Sequence, residues 1–192
     1  MAGGDCSAQI TYTQVADLHV REGGDDWILR SPGRWWVLRT RARNEKTVAR
    51  ELGCHGAMHY LPLVRVHHTY AKSKASFLLP LFPGYVFLCG NDRDYELACQ
   101  TKRVAQILHV SNQDQLRREL QHIHSVVESG RPVGLYPALR QGRRCRITSG
   151  ALRGVEGVVI RRRGPCQMYI AATMLGQSAV IEVDAALLEA AD

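Results

Sequence analysis

Apolar and polar residues alternate along residues 35–40, the pattern of a half-buried strand. Trp35, Val37 and Arg39 fall on one face of this strand. A helix is predicted to follow, because Asn44 is a suitable N-cap and an apolar stripe recurs at helical spacing until Gly53 or Gly56. The first half of the chain therefore predicts a mixture of helices and strands.

Further elements are predicted as far as residue 127. The chain is expected to be extended over residues 60–68, to form a loop over 70–76, a central strand over 77–89, a short helix over 94–101 and a strand over 104–110. A longer helix is predicted from Ser111, with Asp114 completing a capping box. Its inner face would carry Leu116, Leu120, Ile123 and Val127, which recur at intervals of four, three and four residues.

Glycines punctuate the C-terminal part of the chain. Residues 144–148 alternate as a strand, and a second strand is predicted over residues 158–162. Between them, glycines at positions 150, 154 and 157 permit positive φ angles or close backbone approach. The pattern predicts a compact β-turn module.

These patterns divide the chain into four segments. Residues 1–33 lack clear periodicity and are expected to be a poorly ordered extension, although the apolar residues 27–29 are costly to leave in water and could dock. Residues 34–129 form one predicted domain, residues 130–141 a linker rich in glycine and proline, and residues 142–192 a second domain.

The motifs of both domains resemble a known family. Gly142, Ile147, Gly150, Gly154, Gly157 and Val158 have the spacing of a KOW motif. Upstream, WWVLRT at residues 35–40, Asn44 to Lys46, and FPGYVF at residues 82–87 are similar in order and spacing to the NGN domain of NusG-type transcription factors. The chain therefore resembles a specialised NusG paralogue, of the RfaH-like or UpxY-like type.

The resemblance implies a fold and a function. The expected fold is α+β, an NGN-type α/β sandwich with an antiparallel sheet, followed by a small SH3-like KOW β-barrel. The expected function is transcription elongation and antitermination, in which the NGN domain binds RNA polymerase and the KOW domain recruits a second partner. The alternative is a ribosome- or RNA-associated KOW protein whose N-terminal half adds a basic RNA-binding surface.

The resemblance also implies a polymerase-binding site. In the family, aromatic residues at these positions line an apolar depression that receives the clamp helices of the polymerase. The matching or neighbouring positions here are Phe82, Pro83, Tyr85, Phe87 and Ile107. Tyr85 and Phe87 share one strand face, and a core role is the alternative for each of them, favoured for Ile107.

The distribution of charge has two interpretations, one of which is contact with nucleic acid. Residues 34–110 carry twelve basic and five acidic residues, a net charge of +7. The whole chain also has a net charge of +7, so the basic surface belongs to the first predicted domain. Such a surface suits phosphates, although it is also an ordinary solubilising surface. By resemblance, Arg41 and Arg103 approach the non-template DNA strand, and Lys102 lies beside them.

The turn of the KOW domain is the predicted site for the second partner. It comprises Gly150, Leu152, Arg153, Gly154, Val155 and Gly157. In the family this loop meets a small-subunit ribosomal protein or the Rho helicase, usually through a proline and phenylalanines. Here Ala151, Leu152 and Val155 replace those residues, which puts the usual partners in doubt.

Other classes of function are disfavoured. The six cysteines form no C-x-x-C pair, and Cys54, His55, His59, His67 and His68 match no standard zinc spacing. Phosphate-loop and H-E-x-x-H motifs are missing from the sequence, so we expect no catalysis, metal or cofactor. Without an apolar run of about 20 residues or a signal-peptide pattern, we expect a cytoplasmic monomer that does not contact membranes.

Overall fold

A computed structural model describes residues 26–70, 73–137, 142–160 and 166–191. It contains four α-helices within these ranges: α1 (Trp27–Arg30), α2 (Glu45–Cys54), α3 (Asp92–Gln100) and α4 (Gln113–Glu128). Its strands are β1 (Arg34–Thr40), β2 (Met58–Tyr60), β3 (Leu63–Tyr70), β4 (Ser73–Pro80), β5 (Tyr85–Gly90), β6 (Val104–His109), β7 (Gly134–Pro137), β8 (Arg143–Ile147), β9 (Glu156–Ile160), β10 (Cys166–Ala172), β11 (Gln177–Val183) and β12 (Leu188–Ala190).

The N-terminal domain, which we define as residues 34–128, is built on a four-stranded antiparallel sheet. The strand order is β2-β5-β1-β6, and β3 pairs with β4 in a separate two-stranded ribbon. The predicted strand over 77–89 is two strands, because the chain turns between Pro80 and Tyr85, where proline and glycine interrupt the ladder. Gly84 has a φ of +85° in this turn.

Alternation along β1 places two cores on opposite faces of this sheet. Trp36 and Leu38 lie in a core with residues of α2 and α3. Trp35 and Val37 lie in the other core, with residues of α4 and α1. The faces of β1 are therefore those that the sequence predicts.

The C-terminal β domain, which we define as residues 134–191, is a six-stranded antiparallel sheet in the order β12-β8-β9-β10-β11-β7. Cys145, Ile147, Met168, Ile170 and Ile181 are buried in its core. Gly176, at φ +63°, completes the turn between β10 and β11. Together the two domains confirm the predicted α+β class.

Two predicted segment boundaries differ from the structure. Residues 134–137 fall within the predicted linker, yet β7 pairs with β11 from Gly134↔Val180 to Pro137↔Gln177 and so extends the C-terminal sheet. In the predicted poorly ordered extension, residues 27–30 form α1, and Ile28 is fully buried. Residues 1–25 and 138–141 lie outside the described residues.

The helices begin close to the predicted positions, but the side chains that cap them differ from the predicted ones. Asn44 precedes α2, but its side chain donates to the carbonyl of Ala42 and caps no helical N–H. The cap of α4 is Asn112, which accepts from the N–H of Gln115, in place of the predicted Ser111. A capping box is present in α3, between Asn91 and Asp94.

Cysteines contribute small side chains to the cores of both domains. Cys89 and Cys145 are buried free thiols. Burial raises the pKa of the Cys89 thiol, which therefore stays protonated.

Candidate functional site

One face of the N-terminal sheet carries a group of aromatic side chains, which we call the aromatic face: Trp35 on β1, Tyr60 on β2, and Tyr85 and Phe87 on β5. Val37 lies opposite Phe87 in the register of β1 and β5, and Tyr60 lies opposite Phe87 from the other side. Because side chains alternate along a strand, these residues project from the same side of the sheet.

Two rings of the aromatic face, Phe87 and Tyr60, contact each other and the aromatic residues around them. The centroid of Phe87 lies 6.4 Å from that of Phe82 in an edge-on arrangement and 6.3 Å from that of Tyr60. Tyr60 is covered in turn by Trp27 of α1, at 5.8 Å, and by His124 of α4, at 5.7 Å. Such pairs add to the stabilisation that burial of the rings provides.

This packing corrects part of the predicted polymerase site. Phe82 is 1% exposed and Phe87 is 0% exposed, so neither ring faces solvent in this structure. Pro83 is exposed and Tyr85 is half-buried at the edge of the aromatic face. The residues that a partner can reach here are therefore Pro83 and Tyr85, with Phe82 and Phe87 beneath them.

Ile107 lies on the opposite side of the sheet from the other predicted site residues. It pairs with Leu38 in the register of β1 and β6 and packs against the core beneath α2 and α3. The structure therefore separates Ile107 from Tyr85, and the alternative of a core role agrees with its position.

Pro83 and Tyr85 form the accessible edge of the aromatic face. Arg39 also belongs to this edge, although it was not among the predicted site residues. It is exposed and lies directly opposite Tyr85 on β5, with exposed Gln106 opposite it on β6. The alternation of β1 places Arg39 on the same face as Trp35 and Val37, which is the signal that could have identified it.

The turn that carries Pro83 is fixed by α2. The carboxylate of Glu45, in the first turn of that helix, accepts a hydrogen bond of 2.6 Å from the backbone N–H of Gly84. On the other side, the N–H of Thr40 donates to the carbonyl of Gly84 at 2.8 Å. Glu45 is buried, and a hydrogen bond to a buried carboxylate is stronger than one between neutral groups.

The structure brings the predicted nucleic-acid contacts together beside this edge. The backbone N–H of Arg41 donates to the carbonyl of Arg103 at 2.9 Å, and Lys102, Arg103 and Arg41 are all exposed. The guanidinium of Arg103 pairs with the carboxylate of Glu51 at 2.5 Å. Arg41 and Lys102 have no ion pair within the described part of the chain, which leaves their charges available to a polyanion.

The predicted partner-binding turn of the C-terminal β domain is only partly exposed. Leu152 and Val155 are buried in the domain core, so their side chains support the turn and are not available to a partner. Gly150 and Gly154 have φ angles of +82° and +86°, and the side chain of Arg153 is exposed between them. A Cβ on Gly157 would lie 2.6 Å from the carbonyl oxygen of Tyr169, so close packing explains this glycine.

The C-terminal β domain packs on the N-terminal domain through α4, which contacts β10. The carboxylate of Glu119 on α4 accepts from both the N–H of Thr173, at 2.9 Å, and its hydroxyl, at 2.5 Å. Gln115 donates to the same hydroxyl at 3.2 Å. On β10, Tyr169 lies between the core residues Met168 and Ile170, so its side chain projects from the opposite face of the strand. It is nonetheless only 2% exposed.

Charged groups surround His122, which is partly buried on α4. Burial lowers the pKa of His122, while Glu156 and Glu119 favour its protonation and Arg118 and Arg146 oppose it. Across β8 and β9, Arg146 donates to Glu156 at 2.8 Å, and this bond holds the pKa of the Glu156 carboxyl below its usual value. The carboxylate therefore stays ionised beside the domain interface.

The comparison with protein families matches the N-terminal domain. The model of the family described as NusG, transcription termination factor nusG, matches residues 33–132, which is more than half of the 192 residues. The chain belongs to the NusG family. Membership makes it a transcription factor of the NusG type, and the matched region includes both the aromatic face and the basic residues beside it.

Comparison with solved structures gives similar chains of low sequence identity. A structure titled "Domain interaction in Thermotoga maritima NusG" has 18% identity and a TM-score of 0.46, covering 83% of this chain and 97% of that one. The MjSpt4:Spt5 complex in conformation A has 15% identity and a TM-score of 0.27, covering 82% of this chain and 98% of that one. A comparison with curated protein sequences returns no match.

The described helices include none that is both long and apolar enough to cross a membrane.

Proposed function

We propose that this NusG-family protein is an elongation and antitermination factor that binds the clamp region of RNA polymerase through the edge of its aromatic face. The observation that supports this most directly is the position of Tyr85, half-buried within the region that the family matches. Arg39 lies beside it and Pro83 in the preceding turn. An aromatic anchor with an arginine neighbour is typical of protein interfaces.

The basic residues beside that edge support contact with the non-template DNA strand. Arg41 and Lys102 lie at the same end of the sheet as Tyr85 and Arg39, so one bound complex would present both surfaces. Guanidinium groups pair with phosphates and stack on unpaired bases, whereas lysine supplies a point charge. We assign these residues to the phosphate backbone and not to reading of base sequence.

The mechanism that we propose is binding without catalysis. A factor that binds the elongating polymerase more tightly than its paused state shifts the equilibrium toward elongation by the difference between the two affinities. The C-terminal β domain would act as a KOW module that recruits a second partner, through exposed Arg153 and its neighbours. The resemblance implies a small-subunit ribosomal protein or Rho as this partner, although Ala151, Leu152 and Val155 replace the family's usual proline and phenylalanines. The proposed factor is cytoplasmic and monomeric and of the specialised RfaH-like or UpxY-like type.

A transcription assay tests this function. On a template with a known terminator, the protein should raise read-through and shorten pauses by purified RNA polymerase. The Arg41→Ala and Lys102→Ala variants should reduce this effect, and Arg50→Ala, an exposed arginine on α2, serves as the control. Unchanged read-through with the wild-type protein would contradict the proposal.

The alternative function is RNA or ribosome association through the C-terminal β domain. Exposed Arg143, Arg144 and Arg153 favour it, because they lie on β8 and the following turn with no ion pair among the described residues. The two functions differ in what they require. RNA binding by the free protein, with no polymerase binding, would favour the alternative.

A further inference from the structure

A short helix outside the matched family region covers the aromatic face. The family match begins at residue 33, whereas α1 spans Trp27–Arg30. The Trp27 ring lies 6.2 Å from Trp35, 5.8 Å from Tyr60 and 6.0 Å from His124, measured between ring centroids. Thus α1 occupies the space between β1, β2 and α4.

Only two side chains of α1 hold it in place. Ile28 is fully buried and Trp27 is partly buried, whereas Leu29 is 43% exposed. Arg30 pairs with Asp26 at 3.8 Å, but both side chains are exposed, and such pairs contribute little. A four-residue helix cannot be stable without tertiary contacts, so α1 is ordered by the aromatic face and not by its own sequence.

The attachment between α1 and β1 is firm at its C-terminal end. The Ser31 hydroxyl donates to the carbonyl of Ile28 at 2.7 Å and accepts from the indole N–H of Trp35 at 2.9 Å. At Gly33 a Cβ would lie 2.6 Å from the backbone nitrogen of Gly90, so the chain is fixed against β5 there. Movement of α1 would therefore begin at residues 31–33 and leave the sheet intact.

The position of Trp27 against the aromatic face leaves its indole N–H unsatisfied by the described part of the chain. The indole N–H of Trp27 is buried and has no hydrogen-bond partner among the described residues. A buried donor without an acceptor costs free energy that contact with water would recover. Release of α1 would satisfy this donor, which favours a reversible contact over a permanent one.

We propose that α1 is a built-in occupant of the aromatic face, and that RNA polymerase binds more tightly when α1 is displaced. The contacts of Trp27 with Tyr60, and of Tyr60 with Phe87, extend from α1 to the rings that the family motif places in the polymerase site. Displacement of Trp27 would uncover Tyr60 and widen the accessible edge at Tyr85. This inference rests on the proposed polymerase binding and adds its regulation.

The affinity of the full chain for core RNA polymerase tests the proposal. We expect Trp27→Ala to bind about tenfold more tightly than wild type, because the fraction of molecules with an open aromatic face rises. Leu29→Ala is the matched control, since Leu29 lies on the same helix but faces solvent, and its affinity should equal that of wild type. Equal or weaker binding by Trp27→Ala, with its thermal unfolding unchanged, would overturn the proposal.

A second measurement covers the case in which Trp27→Ala unfolds. The chain has three tryptophans, so a fluorotryptophan-labelled wild-type protein gives three ¹⁹F NMR signals, with Trp27 assigned from Trp27→Phe. On addition of unlabelled polymerase, the Trp27 signal should move to its solvent-exposed position. Polymerase binding with a Trp27 signal that stays in its buried position would refute the role of α1 alone, whereas no binding by any variant would refute the proposed function itself.

Discussion

Tyr85 and Phe87 lie two positions apart on β5 and have different roles. Both side chains project from the same face, but Phe87 is enclosed by Phe82 and Tyr60, whereas Tyr85 lies at the edge beside Arg39. Phe87 therefore contributes to the stability of the domain, whereas Tyr85 is available for binding. Substitution of Phe87 should act on the fold, and substitution of Tyr85 should act on the surface.

Phe87→Ala is expected to destabilise the N-terminal domain by about 3–5 kcal/mol, since it leaves a cavity in a close-packed core. Tyr85→Ala, at a half-buried position, is expected to cost about 1 kcal/mol. Urea unfolding followed by tryptophan fluorescence measures both values. A cost below about 1 kcal/mol for Phe87→Ala would mean that its ring is not enclosed as the structure has it.

Elements of the fold could be predicted where short-range periodicity determines them. The faces of β1 followed from alternation because strand side chains repeat every two residues. The burial of Phe87 could not be predicted in the same way, because Tyr60, Trp27 and His124 approach from distant parts of the chain. β7 was missed because glycine and proline in a short segment indicate a linker unless a partner strand is known.

Helix α2 holds the turn before β5 through the hydrogen bond between Glu45 and Gly84. Glu45→Ala removes the acceptor for the partly buried N–H of Gly84 and should lower stability by about 1–3 kcal/mol. It should also increase hydrogen exchange at the backbone amide of Gly84. Glu96→Ala, an exposed glutamate on α3, is the control and should change stability by less than about 0.5 kcal/mol. Protection of the Gly84 amide in Glu45→Ala would count against this contact.

The whole molecule is held together by α4, which packs on the sheet with one side and on β10 with the other. Leu116, Leu120 and Ile123 belong to a single core that continues into the C-terminal β domain. Glu119 adds two hydrogen bonds to Thr173 across the same interface. The N-terminal and C-terminal domains therefore form one packed unit in this structure.

Domain packing should depend on pH through His122. Because burial lowers the pKa of His122 from 6.5, the separated state binds a proton more readily than the packed state. The contribution of His122 to packing should thus be fully present above pH 6.5 and be lost as the pH falls from 6.5 through the lowered value. Small-angle scattering should show an increasing radius of gyration over this range in wild type. A His122→Gln variant should lack that increase, and an identical increase in the variant would exclude His122 as the cause.

If the edge of the aromatic face binds RNA polymerase, two tyrosines on opposite faces of the sheet should differ in their effect on affinity. Tyr85 and Tyr95 are both half-buried tyrosines, but Tyr95 packs with Trp36 on the opposite face of the sheet. We predict that Tyr85→Ala weakens binding of the full chain to core RNA polymerase at least about tenfold, a loss of about 1.4 kcal/mol, while Tyr95→Ala leaves it within about twofold of wild type. Equal affinities for the two variants, with both folded, would contradict the account.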